Sequence, residues 1–192
     1  MASHMFGGMD GKGRAGGVLA VASSDPVLSV LGPIGLASVA GTALIVDLDD
    51  ELHRPRTRSL ADMAAEGARL SELAPGRRGV AMVSSGGLSP DLVPELVARL
   101  AHHWPAVVIR PGAWRWDGPT VPLIPLYPGW LAPAHIGAAV WQRVPGGVAA
   151  PAAGPVLPAP GPAMVRRMLG GGLPGRNRWV RAWGPVWELP WA

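Results

Sequence analysis

"GTALIVDLDD", residues 41–50, is the stretch that decides the fold. Gly41-Thr42 punctuates the chain, and Ala43 to Val46 then run without a polar break into Asp47, Asp49 and Asp50. A continuous apolar run marks a strand buried on both faces, as in a parallel sheet. Carboxylates at its end fall on the carboxyl edge, where α/β sheets bind their ligands.

The elements around this strand repeat the alternation. Gly17 to Ser23 reads as a first strand. Asp25 is placed to cap a helix over Val27–Ala40, with Pro26 at its first position and a kink or step expected at Pro33. Asp49–Arg58 is a charged loop, and Ser59 with Asp62 has capping-box form. Leu60, Met63, Ala64, Leu70 and Leu73 give a loose helical stripe. Strands follow at Val80–Val83 and Ala106–Ile109, separated by a helix that opens at Ser89-Pro90 and carries Leu92, Leu96, Val97 and Leu100 on one face. Beyond them the expected order is a strand Val121–Leu126, a helix Ala134–Val144, a strand Val156-Leu157, a helix Pro162–Leu169 and an extended tail Arg178–Leu189. Alternating strands and helices predict a three-layer α/β fold, with a mainly parallel sheet and helices on both faces.

Composition agrees with a packed domain: apolar residues make up 48% and charged residues 16%. Met1–His4, followed by Met5, reads as a vector-derived tag, residues 1–17 as tag and flexible head, and residues 18–192 as one domain. No cysteine is present, so neither a disulfide framework nor a thiolate metal site is expected. Val27–Val46 is long enough to span a membrane, but Gly32, Pro33, Gly35 and Gly41 interrupt it. No transmembrane segment or signal peptide is expected, and a cytoplasmic location is. Among the 17 basic residues only Lys12 is a lysine, a bias that GC-rich coding produces.

A phosphate-gripping loop after the first strand requires glycines, a lysine for the terminal phosphates and a hydroxyl for magnesium. Here Ser23, Ser24, Asp25 and Pro26 occupy that turn, without a lysine and with an acid that repels phosphate. Even so, the order of "GTALIVDLDD", "SLADM", "GVAMVSSGGLSPDLVPELVARL" and "WPAVVIRPG" resembles the ParA/MinD-like deviant-Walker ATPases, including their CpaE/TadZ branch, over Val18–Leu126. The resemblance implies a P-loop-type scaffold, dimerisation and recruitment of protein partners. It also marks what has changed. The family's Lys-Gly-Gly-x-Gly-Lys-Thr loop gives way to Ser23–Val27, and Arg110 stands where the Walker B acid belongs. The chain is therefore expected to be a degenerate NTPase with no catalytic residue, cofactor or resident metal. Its vestigial cleft would comprise Ser23, Ser24, Asp25, Asp47, Asp49 and Arg110.

Two other readings compete. Asp47 and Asp49 share a strand face and have the chemistry to hold a divalent cation in a metal- or nucleotide-binding enzyme. Alternatively, the arginines make the chain a non-specific DNA binder. Ser84–Gly87 is a strand-to-helix turn with amide groups suited to an anion, and His102-His103 ends a helix. Four tryptophans crowd the tail, Trp179, Trp183, Trp187 and Trp191, and two more follow the altered strand, Trp114 and Trp116. Tryptophan anchors interfaces and membrane surfaces, so these six are candidate partner contacts as well as candidate core.

Overall fold

The computed structural model describes residues 17–49, 58–69, 72, 79–129, 137–151 and 154–191. Seven strands form one sheet: β1 Val18–Ala22, β2 Ala43–Asp47, β3 Val80–Ser84, β4 Val107–Arg110, β5 Thr120–Leu126, β6 Val140–Arg143 and β7 Val156–Leu157. All pairs are parallel, in the order β3-β2-β4-β1-β5-β6-β7. Helices cover both faces, so the expected three-layer α/β fold is what forms.

Strand alternation sorts the core. Leu19, Val21, Ile45, Val108, Val121 and Leu123 face α1 Pro26–Ala40, together with α4 Pro162–Leu169 and α5 Arg178–Arg181. Ala20, Leu44, Val46, Val107 and Ile109 face α2 Leu60–Glu66 and α3 Val93–Ala101. The second core also takes Leu60, Met63, Val97 and Leu100, residues named from helical spacing. Leu92 is exposed and Val93 takes the buried position instead, because a 3-10 turn, Pro90–Leu92, precedes α3. Leu70, Leu73 and most of the charged loop between Asp49 and Arg58 lie outside the described residues.

Both expected caps form. The Asp25 carboxylate accepts from the Leu28 N–H at 2.8 Å, with Pro26 opening α1. Ser59 and Asp62 close a complete capping box, in which the Ser59 N–H donates to Asp62 at 2.8 Å and the Asp62 N–H to Ser59 Oγ at 3.2 Å. Helix α1 continues through Pro33 to Ala40. Among the described residues no helix is long and apolar enough to cross a membrane.

Two local expectations are corrected. The helix expected over Ala134–Val144 is a strand from Val140 to Arg143, and residues 130–136 lie outside the described part. A short apolar run carries no period that separates a buried strand from a buried helix. The tail expected to be extended is α5 followed by a 3-10 turn, Gly184–Glu188. Asn177 starts α5 by accepting from the Val180 N–H at 3.0 Å, a capping signal that the even tryptophan spacing masks in the sequence. That helix ends at Arg181, and Gly184-Pro185 opens the next turn rather than breaking helical structure outright.

Candidate functional site

Adjacent strands whose exits diverge open a crevice at their carboxyl ends. Here those strands are β1, which leads back toward β2, and β5, which leads outward to β6. A cavity of about 270 Å³ lies at that point, lined by Ser23 and Ser24 after β1, Arg110 to Gly112 after β4, Pro122 to Ile124 of β5, and Ser29 of α1. The expected cleft residues converge on this edge.

Arg110 is the centre of the arrangement. It stands beside Asp47 in the β2–β4 register, and the two side chains share the α1 face. Its guanidinium reaches Asp47 Oδ1 at 3.0 Å and Asp49 Oδ2 at 2.9 Å. The side chains of Arg110 and Asp47 are 1% and 2% exposed, so the pair is a desolvated one. A charge so buried persists only when hydrogen bonds complete its partners. Nε supplies a further bond, to the Ser29 carbonyl at 3.1 Å.

That carbonyl explains why α1 tolerates Pro33. Proline has no N–H to give the carbonyl four residues earlier, which in this helix belongs to Ser29. Arg110 donates in its place. Pro33 and Arg110, 77 positions apart in the numbering, are therefore complementary: one orphans an acceptor and the other satisfies it. The sequence points to Arg110 but gives Ser29 no prominence. A proline four residues after a residue at a sheet edge is the signal that would have exposed it.

The amino end of α1 is occupied as well. Asp25 places its carboxylate on the positive end of the helix dipole, with Oδ1 on the Leu28 N–H and Oδ2 accepting from the Tyr127 hydroxyl. Its hydrogen bond to Asp25 holds the Tyr127 hydroxyl above the usual tyrosine pKa, with burial and the carboxylate charge acting in the same direction. Tyr127 is a site residue that sequence reading missed. Three carboxylates and one guanidinium thus meet at this edge, an unsuitable balance for a triphosphate.

The neighbouring turn is folded on its own chain. The Ser85 N–H donates to the Asp47 carbonyl at 2.9 Å, and the Ser85 carbonyl accepts from Ala61 N–H at 3.1 Å. Gly86 takes a φ of 64°, and a β-carbon there would strike Ser59, so the turn requires glycine. His102 and His103 are exposed at the end of α3, and a His102 ring nitrogen is 2.7 Å from the Ala98 carbonyl.

The six tryptophans divide. Trp179 and Trp183 are 2% and 0% exposed and stack edge to face, 5.7 Å apart, against α1. Gly35 of α1 admits both rings, since a β-carbon there would collide with each. The Trp179 indole N–H donates to the buried Gln142 at 2.8 Å. These two are core rather than surface. Trp187 and Trp191 are half-buried on the same core, bonded to the Leu36 carbonyl at 3.2 Å and the Val186 carbonyl at 2.7 Å. Trp114 and Trp116 are half-buried against the α2–α3 face and do not line the crevice.

Compared with family models, curated proteins and solved structures, the chain finds no match.

Proposed function

We propose that the protein is a non-catalytic relative of the ParA/MinD-like ATPases that acts by binding. In this reading it is a cytoplasmic positioning or regulatory factor of a larger assembly, such as a pilus or secretion apparatus, a division site or a segregating chromosome. It would recruit a protein partner and pair with a second copy of itself. One observation carries the loss of catalysis: the crevice holds its own ions. The Arg110 guanidinium sits between the two carboxylates that would otherwise take a metal, and the Asp25 carboxylate sits on the helix end that would otherwise take a phosphate. The parallel sheet, the helix directly after β1 and the acid-tipped β2 support the scaffold half of the reading.

The enzyme alternative requires a cation at Asp47 and Asp49. Such a cation would have to displace Arg110 and leave the Ser29 carbonyl without its donor. Partner contact is assigned to Trp114 and Trp116, the half-buried rings on the loop leaving the carboxyl end of β4.

Titration calorimetry of the whole chain with ATP and with ADP, with and without magnesium, tests the reading. The expected result is no magnesium-dependent heat and no hydrolysis. Micromolar, magnesium-dependent binding accompanied by turnover rejects it.

A further inference from the structure

The sheet face opposite α1 carries a second cavity, of about 680 Å³, between α2 and α3. Sites for small organic ligands usually enclose about 300–1,000 Å³. No residue of the crevice lines this cavity.

The sequence accounts for the space. Helix α2 is seven residues long and gives way to Gly67, at a φ of 80°. Ala64, Gly67 and Ala68 on that side have at most a methyl group to offer, and a β-carbon at Gly67 would meet nothing within 4 Å.

The lining is divided in two. Leu60, Met63, Leu96 and Leu100 form an apolar floor that belongs to the second core. Arg99, His102 and His103 supply the polar part. The two histidines follow Arg99 by three and four residues, and the backbone is still right-handed helical at His102, so the three share one side of the end of α3. Among the described residues no acid lines the cavity. Glu95, the ion-pair partner of Arg99, is outside the lining, and both members of that pair are exposed, at 62% and 68%, so the pair is weakly held. His102 has one ring nitrogen 2.7 Å from the Ala98 carbonyl and must donate there, because a carbonyl only accepts. The His103 ring has no hydrogen-bond or ionic partner among the described residues.

We infer that this cavity binds a small monocarboxylic acid with an aliphatic or aromatic body. The hydrocarbon lies on the leucine and methionine floor, and the carboxylate meets Arg99 and His103. A guanidinium presents paired donors that match the two carboxylate oxygens. A neutral apolar molecule would use the floor alone, and a cationic one would face the like charge of Arg99. The inference is independent of what the crevice binds.

Titration calorimetry of the full chain with octanoate, octanamide and octylamine, three probes of equal chain length, tests the inference. Octanoate should bind saturably with a dissociation constant of about 1 mM or below, the scale of a ligand of about ten non-hydrogen atoms. Octanamide and octylamine should bind at least about fivefold more weakly, the factor that an exposed charge contact is worth. Arg99→Gln/His103→Gln should weaken octanoate to the level of octanamide and leave octanamide unchanged. Ala64→Trp, which fills the cavity, should abolish both, whereas Glu95→Gln should not weaken octanoate. Ala64, Glu95, Arg99 and His103 are all exposed, so the variants should keep the parent's circular dichroism. Octanoate heats that do not saturate in the millimolar range, octanamide or octylamine bound as tightly as octanoate, binding that survives Ala64→Trp, or a preference for octanoate that survives Arg99→Gln/His103→Gln overturns the inference.

Discussion

Replacing Arg110 with Met keeps most of the side-chain volume and removes the charge and every donor. The contacts dictate two consequences. Asp47, at 2% exposure, loses the guanidinium 3.0 Å away that offsets its burial, and the partly exposed Asp49 loses its contact as well. The Ser29 carbonyl, already without a helical donor because of Pro33, loses the guanidinium N–H that replaces it. Breaking a buried ion pair from one side costs about 3–5 kcal/mol. In a domain of this size that lowers the midpoint of thermal unfolding by roughly 6–20 °C. Guanidinium unfolding followed by tryptophan fluorescence and far-ultraviolet circular dichroism measures the loss directly. Asp47→Asn added to Arg110→Met should recover part of it, since no unpaired buried charge then remains at Asp47. The sharper measurement is a double-mutant cycle with Pro33→Ala, which restores an N–H to the Ser29 carbonyl. The substitution should be more favourable in the Arg110→Met background than in the parent by about 1 kcal/mol, the scale of an orphaned buried acceptor. An Arg110→Met variant as stable as the parent within about 0.5 kcal/mol, the range of an ordinary surface substitution, or a cycle with no coupling, refutes the assigned roles of Arg110 and Pro33.

Three further outcomes are expected. Gly35→Ala pushes a methyl group into the Trp179 and Trp183 rings and should cost about 1–3 kcal/mol by denaturant midpoint, with an altered near-ultraviolet spectrum. The Tyr127 hydroxyl titrates above its ordinary value because of its bond to Asp25, so its contribution is present below about pH 10 and is lost as pH rises through the higher folded value. Stability of the parent should therefore fall faster than that of Tyr127→Phe in this alkaline window, and parallel curves would count against the bond. The Asp62 carboxyl is held below its usual range, first by the Ser59 N–H and then by the Ser59 hydroxyl, so its contribution is full above the usual aspartate pKa and disappears as pH falls through the lower folded value. Ser59→Ala should cost about 1 kcal/mol at neutral pH and shrink that acid-dependent step.

The sequence exposes the strands wherever burial on both faces leaves no polar interruption, as in Val18–Ala22, Ala43–Asp47 and Val107–Arg110. It exposes helix starts wherever a side chain must satisfy orphan N–H groups, as at Asp25 and Ser59. It conceals Val140–Arg143, where Val140 packs with the α1, α4 and α5 core and Trp141 with Leu126 and Ala139 in another cluster, so that burial on both faces erases any alternation, and the tail, where four-residue tryptophan spacing is compatible with a helical turn and with an extended face alike. The site divides along the same line. Its residues are legible singly, because an arginine ending a buried apolar strand and an aspartate opening a helix each stand out by their chemistry. Their relationship is not legible, because it depends on strand order.

In the order β3-β2-β4-β1, Asp47 and Arg110 are register partners on one face, and the proline-interrupted helix lies over both. Had the four strands been laid down in chain order, β3 would separate β2 from β4. The same two residues would then lose the 3.0 Å ion pair that joins them while keeping the desolvation cost of burial. Opposite charges at the tips of the second and fourth strands are thus an argument for placing those strands side by side. A buried arginine at a strand tip and a proline inside a helix, each unfavourable alone, compensate each other once the strands are adjacent. Arg110 pairs with Asp47 and Asp49 and fills the proline gap with the same side chain.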